Sequence, residues 1–123
     1  MADRKSWCFA VLACGALLAG PAFAACTPPQ TPSKITDGNS ASEQDMVGAL
    51  DTLKHYNADV TAYFKCLEFE AKQSRLDEYD MTKMHNVAMD RLIEVAQKFN
   101  GQVRIYRAKK DLSVRRLQED SSS

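Results

Sequence analysis

Apolar residues recur at helical spacing through the middle of the chain. From Ser42 to Arg75 they follow one another in steps of three and four, which places them on one stripe of an α-helix. Ser42 followed by Asp45 is typical of a capping box, which marks the start of a helix. The pattern predicts a first helix over about residues 43–75. Its inner stripe includes one polar residue and consists of Met46, Leu50, Leu53, Asn57, Val60, Phe64, Leu67 and Ala71.

A second apolar stripe follows after a short polar stretch. Asp80 is a residue type that caps helices, and from Met84 to Tyr106 the same steps of four and three return. Asn100-Gly101 is a sequence that ends many helices, but the stripe continues beyond it. We therefore predict a second helix over about residues 81–110, with an extension to residue 117 left open. The hairpin domain would span residues 43–118, and residues 119–123 would form a disordered tail.

The short connection between the two stripes predicts how the helices pair. Two long helices joined in this way fold back antiparallel, so the expected fold class is all-α, a two-helix hairpin. A bend centred near Asp77 would place Phe64 against Leu92. In that register Asn57 would fall near Phe99 and Gln102, and a hydrogen bond with Gln102 or Asn100 would fix the alignment.

The first 24 residues have the layout of a secretory signal peptide. Basic residues precede an apolar run from Trp7 to Leu18, and Ala22-Phe23-Ala24 supplies a small-x-small cleavage site. The run is shorter than the roughly 20 apolar residues of a membrane span. We expect cleavage after Ala24 and a periplasmic or secreted mature protein. The alternative is a lipoprotein signal cut before Cys26, which would leave that residue acylated and the protein anchored in the envelope.

Cys26 and Cys66 are the two cysteines that remain after cleavage. Two cysteines in an exported chain of this size indicate a disulfide. Residues 25–42 are rich in proline and small polar residues, which predicts an extended arm with a turn at Asp37-Gly38-Asn39. The arm is long enough to run back along the first helix and be strapped to it at Cys66; the alternative is a linker to a lipid anchor. A track of small residues would receive the arm, and it consists of Gly48, Thr52, His55, Ala58, Ala62 and Cys66.

Several large apolar residues fall outside the two stripes. A lone hairpin cannot cover them all, so they form a candidate interaction face for a protein partner or for a second copy that completes a four-helix bundle. The alternative, that the arm and a curved hairpin hide most of them, is left open. The residues of this predicted face are Tyr56, Tyr63, Phe69, Met89 and Ile93.

Charge is unevenly distributed, although the whole chain has a formal net charge of zero. Between residues 104 and 116 only Asp111 accompanies six basic residues, which are Arg104, Arg107, Lys109, Lys110, Arg115 and Arg116. In the hairpin these cations would balance the partial negative charge at the C-terminal end of their own helix and the carboxylates at the start of the first helix. The alternative is that they bind an anionic membrane surface. Nucleic acid is not expected as a partner, because exported chains seldom meet it.

The sequence has no recognisable catalytic or metal-binding pattern. His55 and His85 have no companion ligand at metal spacing, and neither a phosphate-binding loop nor a nucleophile motif is present. We therefore expect a non-enzymatic binding or structural module of the cell envelope, without a cofactor or a metal. An exposed connection at Leu76 to Asp80 leaves a second possibility open, that of a small inhibitor of an envelope enzyme.

Several short motifs resemble those of a group of small exported bacterial proteins with no assigned activity. The group has a leading Cys-x-Pro-Pro, found here at Cys26 to Pro29, and a Tyr-x-x-Cys-Leu, found here at Tyr63 to Leu67. Further similar motifs are Ile35-Thr36-Asp37-Gly38, the helix start at Ala41 to Met46, His85-Asn86-x-x-Met89-Asp90 and Phe99-Asn100-x-x-Val103-Arg104-x-Tyr106. The resemblance implies a secreted or periplasmic helical hairpin with paired cysteines, and it carries no activity to transfer.

Overall fold

Two long helices and an extended arm make up residues 26–122, which are the residues described by this computed structural model. Helix α1 spans Glu43–Lys72, and helix α2 spans Glu78–Asp120. The helices pack against each other, and no strand occurs between residues 26 and 122. The predicted all-α two-helix hairpin is confirmed, while the predicted signal segment, residues 1–24, lies outside the described residues.

Side-chain caps fix where each helix begins. The N–H of Asp45 donates to Oγ of Ser42 at 3.1 Å, and the N–H of Ser42 donates to Oδ2 of Asp45 at 2.9 Å. This is the predicted capping box, and the hydrogen bonds from Ser42 lower the pKa of the Asp45 carboxyl. Helix α2 is capped by Asp77, whose Oδ1 accepts from the N–H of Asp80 at 2.8 Å. The prediction that Asp80 caps this helix is therefore wrong, and α2 begins at residue 78 instead of 81.

Helix α1 ends at a left-handed residue, Ser74, whose φ is 55°. The N–H of Ser74 donates to the carbonyl of Ala71, and the N–H of Arg75 donates to the carbonyl of Glu70. These two bonds form a Schellman motif, which satisfies carbonyls at the helix end. The helix therefore stops at Lys72 and not at Arg75, and the chain bends about two residues earlier than predicted.

The earlier bend changes which residues meet across the hairpin. Phe64 stacks on His85 with ring centroids 3.9 Å apart, whereas the predicted register paired Phe64 with Leu92. Asn57 is exposed, and the side chain of Gln102 accepts a hydrogen bond from the arm. The predicted bond between Asn57 and Gln102 therefore does not form, and the connection between the helices sets the register instead.

Helix α2 is much longer than α1. It continues through Gly101 and past residues 110 and 117 to Asp120, so residues 119 and 120, which were predicted to lie in a disordered tail, are helical. Lys110 reaches Glu43 at the start of α1, and every residue from 107 to 122 is exposed. Residues 111–120 therefore extend beyond the hairpin by about 15 Å, at roughly 1.5 Å per residue, and we call them the overhang.

The core lies between the helices and beneath the arm. Val60 and Leu67 are the most deeply buried large side chains, and Val95 of α2 belongs to the same cluster. Tyr56 and Tyr63 are also part of it, with exposed fractions of 3% and 6%. The buried face of α1 is thus rotated toward the two tyrosines and away from the predicted stripe members on its other edge, Leu50 and Asn57, which are exposed.

The arm fills the groove between the two helices on the side of the tyrosines. The predicted disulfide between Cys26 and Cys66 forms and attaches one end of the arm to α1. In the middle of the arm, the hydroxyls of Thr31 and Tyr56 lie 3.3 Å apart, and Ile35 packs on the core cluster. The arm therefore contributes a third layer of packing over the two helices.

The path of the arm differs from the predicted track of small residues on α1. Ala58 and Ala62 of that track are exposed, and the ring of His55 bonds to the carbonyl of Asp51 in its own helix. The predicted attachment of the arm to α1 is confirmed, but the prediction that the arm packs along the track of small residues is wrong. An extended segment in the groove between two helices buries apolar surface against both of them, whereas the track offers only one wall.

Candidate interaction surfaces

The two sides of the hairpin differ because the arm covers one of them. On this arm side, Pro28 lies beside Tyr63 and Met84, which together line part of a shallow depression. On the opposite side, which we call the open side, nothing between residues 26 and 122 covers the groove between the helices. That groove has a volume of about 370 Å³, and its apolar wall consists of Leu50, Leu53, Leu92, Ile93 and Ala96, with Lys54 and Asn57 at the edge.

The predicted interaction face does not form one surface. Tyr56 and Tyr63 are buried under the arm, so the prediction that they are available to a partner is wrong. Phe69 is 55% exposed and lies beside the Arg75 guanidinium, which is 5.5 Å from the ring centroid. Ile93 is 46% exposed and lines the open-side groove.

Met89 is half-buried and lies one helical turn before Ile93, which places the two residues on the same side of α2. Of the five predicted residues, these two therefore belong to the open side, and the other three are distributed over the core and the outer surface of α1. The sequence reading missed the open-side groove because it placed Leu50 and Asn57 at the centre of the helix contact. The spacing of Ala49, Tyr56 and Tyr63 is a repeat of seven residues that would have indicated the true buried edge.

The six predicted basic residues are all exposed. Two of them join the C-terminal half of α2 to the start of α1, as predicted. Nζ of Lys109 donates to the carbonyl of Ala41, and Nζ of Lys110 donates to Oε2 of Glu43, each at 3.3 Å. The other four have no carboxylate within 4.0 Å among residues 26–122, and they are Arg104, Arg107, Arg115 and Arg116.

A larger cavity, of about 690 Å³, lies between the arm and the N-terminal half of α1. Its floor is apolar and includes Ile35, Leu53 and Phe99, whereas Lys34 and Asp45 lie on its rim. Gly48 and Thr52 of the small-residue track form part of its wall, so this part of the predicted track borders the arm without contacting it closely. The cavity is a space between two packed segments, and the lowered pKa of Asp45 on its rim is explained by the capping role of that carboxylate.

The structure brings no catalytic constellation together within residues 26–122. His85 stacks on Phe64, and His55 is engaged with its own helix. No cluster of three or more potential metal ligands occurs in this part of the chain, and no buried side chain there is charged. Leu76, the start of the predicted inhibitory loop, packs against the core, and the rest of that loop after Asp77 is the first turn of α2.

The pKa shifts that occur come from hydrogen-bonded pairs on the surface. Nε and Nη2 of Arg75 donate to the carboxylate of Glu70 at 2.6 and 2.9 Å, which lowers the pKa of Glu70 and raises that of Arg75. A hydrogen bond from Lys98 lowers the pKa of Glu94 in the same way. These groups stabilise local structure, and they do not form a site.

Neither helix is long and apolar enough to cross a membrane, among the residues that the structure describes. No family model, no curated protein and no solved structure matches this chain. The resemblance to small exported bacterial proteins with a leading Cys-x-Pro-Pro therefore stays a prediction.

Proposed function

We propose that this chain is an exported, non-enzymatic helical module of the cell envelope that binds a protein on the open side of its hairpin. The observation that carries the proposal is the difference between the two sides. The arm covers the groove over Tyr56 and Tyr63, while the opposite groove leaves Ile93 and Leu50 exposed over an apolar floor. Exposed apolar surface of this kind between helices is typical of a contact surface for another protein.

The covalent attachment of the arm supports an extracytoplasmic location. A disulfide that closes a segment of the core is typical of proteins that fold in an oxidising compartment. The signal-like segment at residues 1–24 favours the same location. The proposal of a non-enzymatic role is supported by the ordinary surroundings of both histidines and of every paired carboxylate described above.

Site-specific photo-crosslinking in the native envelope tests this function. A photo-reactive side chain in place of Ile93 should give one defined crosslinked product, because this position lies in the open-side groove. The matched control is the same side chain in place of Val87, which is 44% exposed on the other side of α2 and should give none. A product of twice the subunit mass would identify the partner as a second copy, and any other defined mass would identify a different protein.

A second variant checks that the contact depends on the apolar surface. Ile93→Asp should abolish the product formed by a photo-reactive group at the neighbouring Leu50, while Val87→Asp should leave it intact. The proposal is wrong if position 93 gives no product, or if positions 93 and 87 give the same set of products.

A further inference from the structure

The C-terminal part of α2 carries an apolar strip that points away from α1. Ile105, Ala108 and Leu112 are spaced by three and four residues, so they lie on one face of the helix. Val103 and Tyr106, which pack on the core, lie on a different face. Ile105 and Leu112 have exposed fractions of 43% and 53%, so the strip is open to its surroundings.

Cations border this strip on both sides. At about 100° per residue, Arg104 and Arg115 lie along one edge of the strip, and Lys109 and Arg116 lie along the other. A narrow apolar face between two rows of Lys and Arg is the pattern of a helix that lies in the interface of an anionic membrane. This face can approach a flat surface, because Ile105 and every residue from 107 to 122 are exposed.

The distribution of charge over the rest of the molecule favours one orientation at such a surface. Residues 104–116 contain six basic residues and one acid, Asp111, a formal excess of five positive charges. Residues 26–103 and 117–123 contain fourteen carboxylates and eight Lys and Arg residues, a formal excess of six negative charges. An anionic surface would therefore attract the C-terminal part of α2 and repel the body of the hairpin.

We propose that residues 104–116 of α2 form a peripheral binding site for anionic lipid surfaces, with Ile105, Ala108 and Leu112 inserted among the headgroups and Arg104, Arg115 and Arg116 bound to lipid phosphates. The site lies on a different surface from the open-side groove and does not depend on the protein partner proposed for that groove. Because α2 is one continuous helix, lipid binding through this face lays α2 along the membrane surface, and the open-side groove, which lies on another face of the hairpin, remains accessible.

The test uses the oxidised mature chain and vesicles of phosphatidylcholine in which roughly one lipid in three is phosphatidylglycerol, compared with vesicles of phosphatidylcholine alone. Binding measured by co-sedimentation should require the anionic lipid and should weaken strongly when the salt concentration is raised. Each cation near the surface contributes on the order of fivefold to the binding constant, so the double variant Arg115→Glu/Arg116→Glu should bind at least about 25-fold more weakly.

A matched control separates the site from net charge. The double variant Lys65→Glu/Lys83→Glu makes the same change of charge on exposed positions of the hairpin body and should change binding less than about threefold. None of these four residues is buried, and circular dichroism should show an unchanged helix content in both variants. Equal loss of binding in the two variants would overturn the proposal, because binding would then follow net charge alone.

Fluorescence separates a lipid surface from other polyanions. The only tryptophan of the chain, Trp7, lies in the predicted signal segment, so a Leu112→Trp variant of the mature chain has a single reporter. Its emission should shift to the blue on anionic vesicles, whereas the emission of Ser113→Trp, on another face of α2, should not. A single-stranded oligonucleotide that binds as tightly as the vesicles at the same salt concentration, or the absence of a blue shift at position 112, would overturn the lipid assignment.

Discussion

The N–H of Gly38 in the arm donates a hydrogen bond of 2.8 Å to Oε1 of Gln102 in α2. Through this bond the turn of the arm is attached to the second helix, while the disulfide attaches the start of the arm to the first. A Cβ at position 38 would lie 2.1 Å from the backbone carbonyl oxygen of Gln102. The φ of Gly38 is not positive, so its backbone conformation alone does not require glycine. Glycine is required here because two backbones approach each other closely.

Gly38→Ala should destabilise the fold by about 2 kcal/mol, because the added methyl group forces the turn away from α2. Gly48→Ala is the matched control, since a Cβ at this exposed helical position meets nothing within 4 Å. This control should stabilise the protein by roughly 0.5–1 kcal/mol, because alanine favours the helix. Urea denaturation measures both free energies of unfolding, and an equal effect of the two substitutions would contradict the close packing of the arm.

Removal of the disulfide by Cys26→Ser/Cys66→Ser should lower the free energy of unfolding. The bridged residues are 40 apart in the sequence, and the chain-entropy estimate for a loop of this length is about 4 kcal/mol. Because the arm covers Tyr56 and Tyr63, both side chains should also become more accessible to a soluble quencher of tyrosine fluorescence. Tyr79, which is already exposed, supplies the internal comparison. Unchanged quenching of the buried pair would show that the arm stays in place without its bridge.

Tyr63→Ala and Phe69→Ala should have very different effects, although both residues belonged to the same predicted face. Tyr63 is in the core, so its truncation should cost about 3–5 kcal/mol. Phe69 is mostly exposed and makes only a cation–π contact with Arg75, so its truncation should cost less than about 1 kcal/mol. Thermal unfolding at two scan rates shows which substitution lowers the stability more. A larger loss of stability in Phe69→Ala than in Tyr63→Ala would contradict the described core.

Ser74→Gly should stabilise the hairpin by about 1 kcal/mol, because glycine adopts the left-handed conformation at the end of α1 without a steric cost. Gln73→Gly is the control in the same turn. Residue 73 has a φ of −86°, so glycine there gains nothing and should lower the stability slightly. If both substitutions change the stability in the same direction, the Schellman turn is not centred on Ser74.

The carboxyl of Glu70 should titrate below its ordinary pKa of 4.5, because Arg75 donates two hydrogen bonds to the charged form. A carboxyl whose pKa is lowered in the folded state stabilises the fold at pH values above its ordinary, unfolded-state pKa. This stabilisation is lost as the pH falls through the folded-state pKa. Arg75→Gln should return the pKa toward 4.5, whereas Lys72→Gln should not. Carboxyl chemical shifts measured by NMR between neutral and acidic pH decide this point, and a Glu70 pKa at or above the ordinary value would contradict the pair.

The periodicity of the chain was sufficient to predict the two helices, the capping box at Ser42 and the antiparallel hairpin. It was not sufficient for the register, because the residue that stops α1 is Ser74, a type that rarely adopts a positive φ and so gives no stop signal. The earlier bend then moved the partner of Phe64 from Leu92 to His85.

The buried face of α1 could not be assigned from its own periodicity. Two overlapping stripes fit the sequence, one through Leu50 and Asn57 and the other through Tyr56 and Tyr63. The choice between them depends on the arm, which packs over the tyrosines from a segment that has no periodic pattern of its own. The same misassignment placed the tyrosines in the predicted interaction face and concealed the open-side groove.

The position of the disulfide also determines how the protein responds to a pulling force. Residues 27–65 lie inside a covalent ring closed by Cys26 and Cys66. Tension applied at the N-terminus therefore passes through two sulfur atoms directly to the C-terminal third of α1, and it bypasses the hydrogen bonds that hold the arm. If the chain is held by its N-terminus under load, the arm stays in place, and mechanical failure would begin at the contact between α1 and α2.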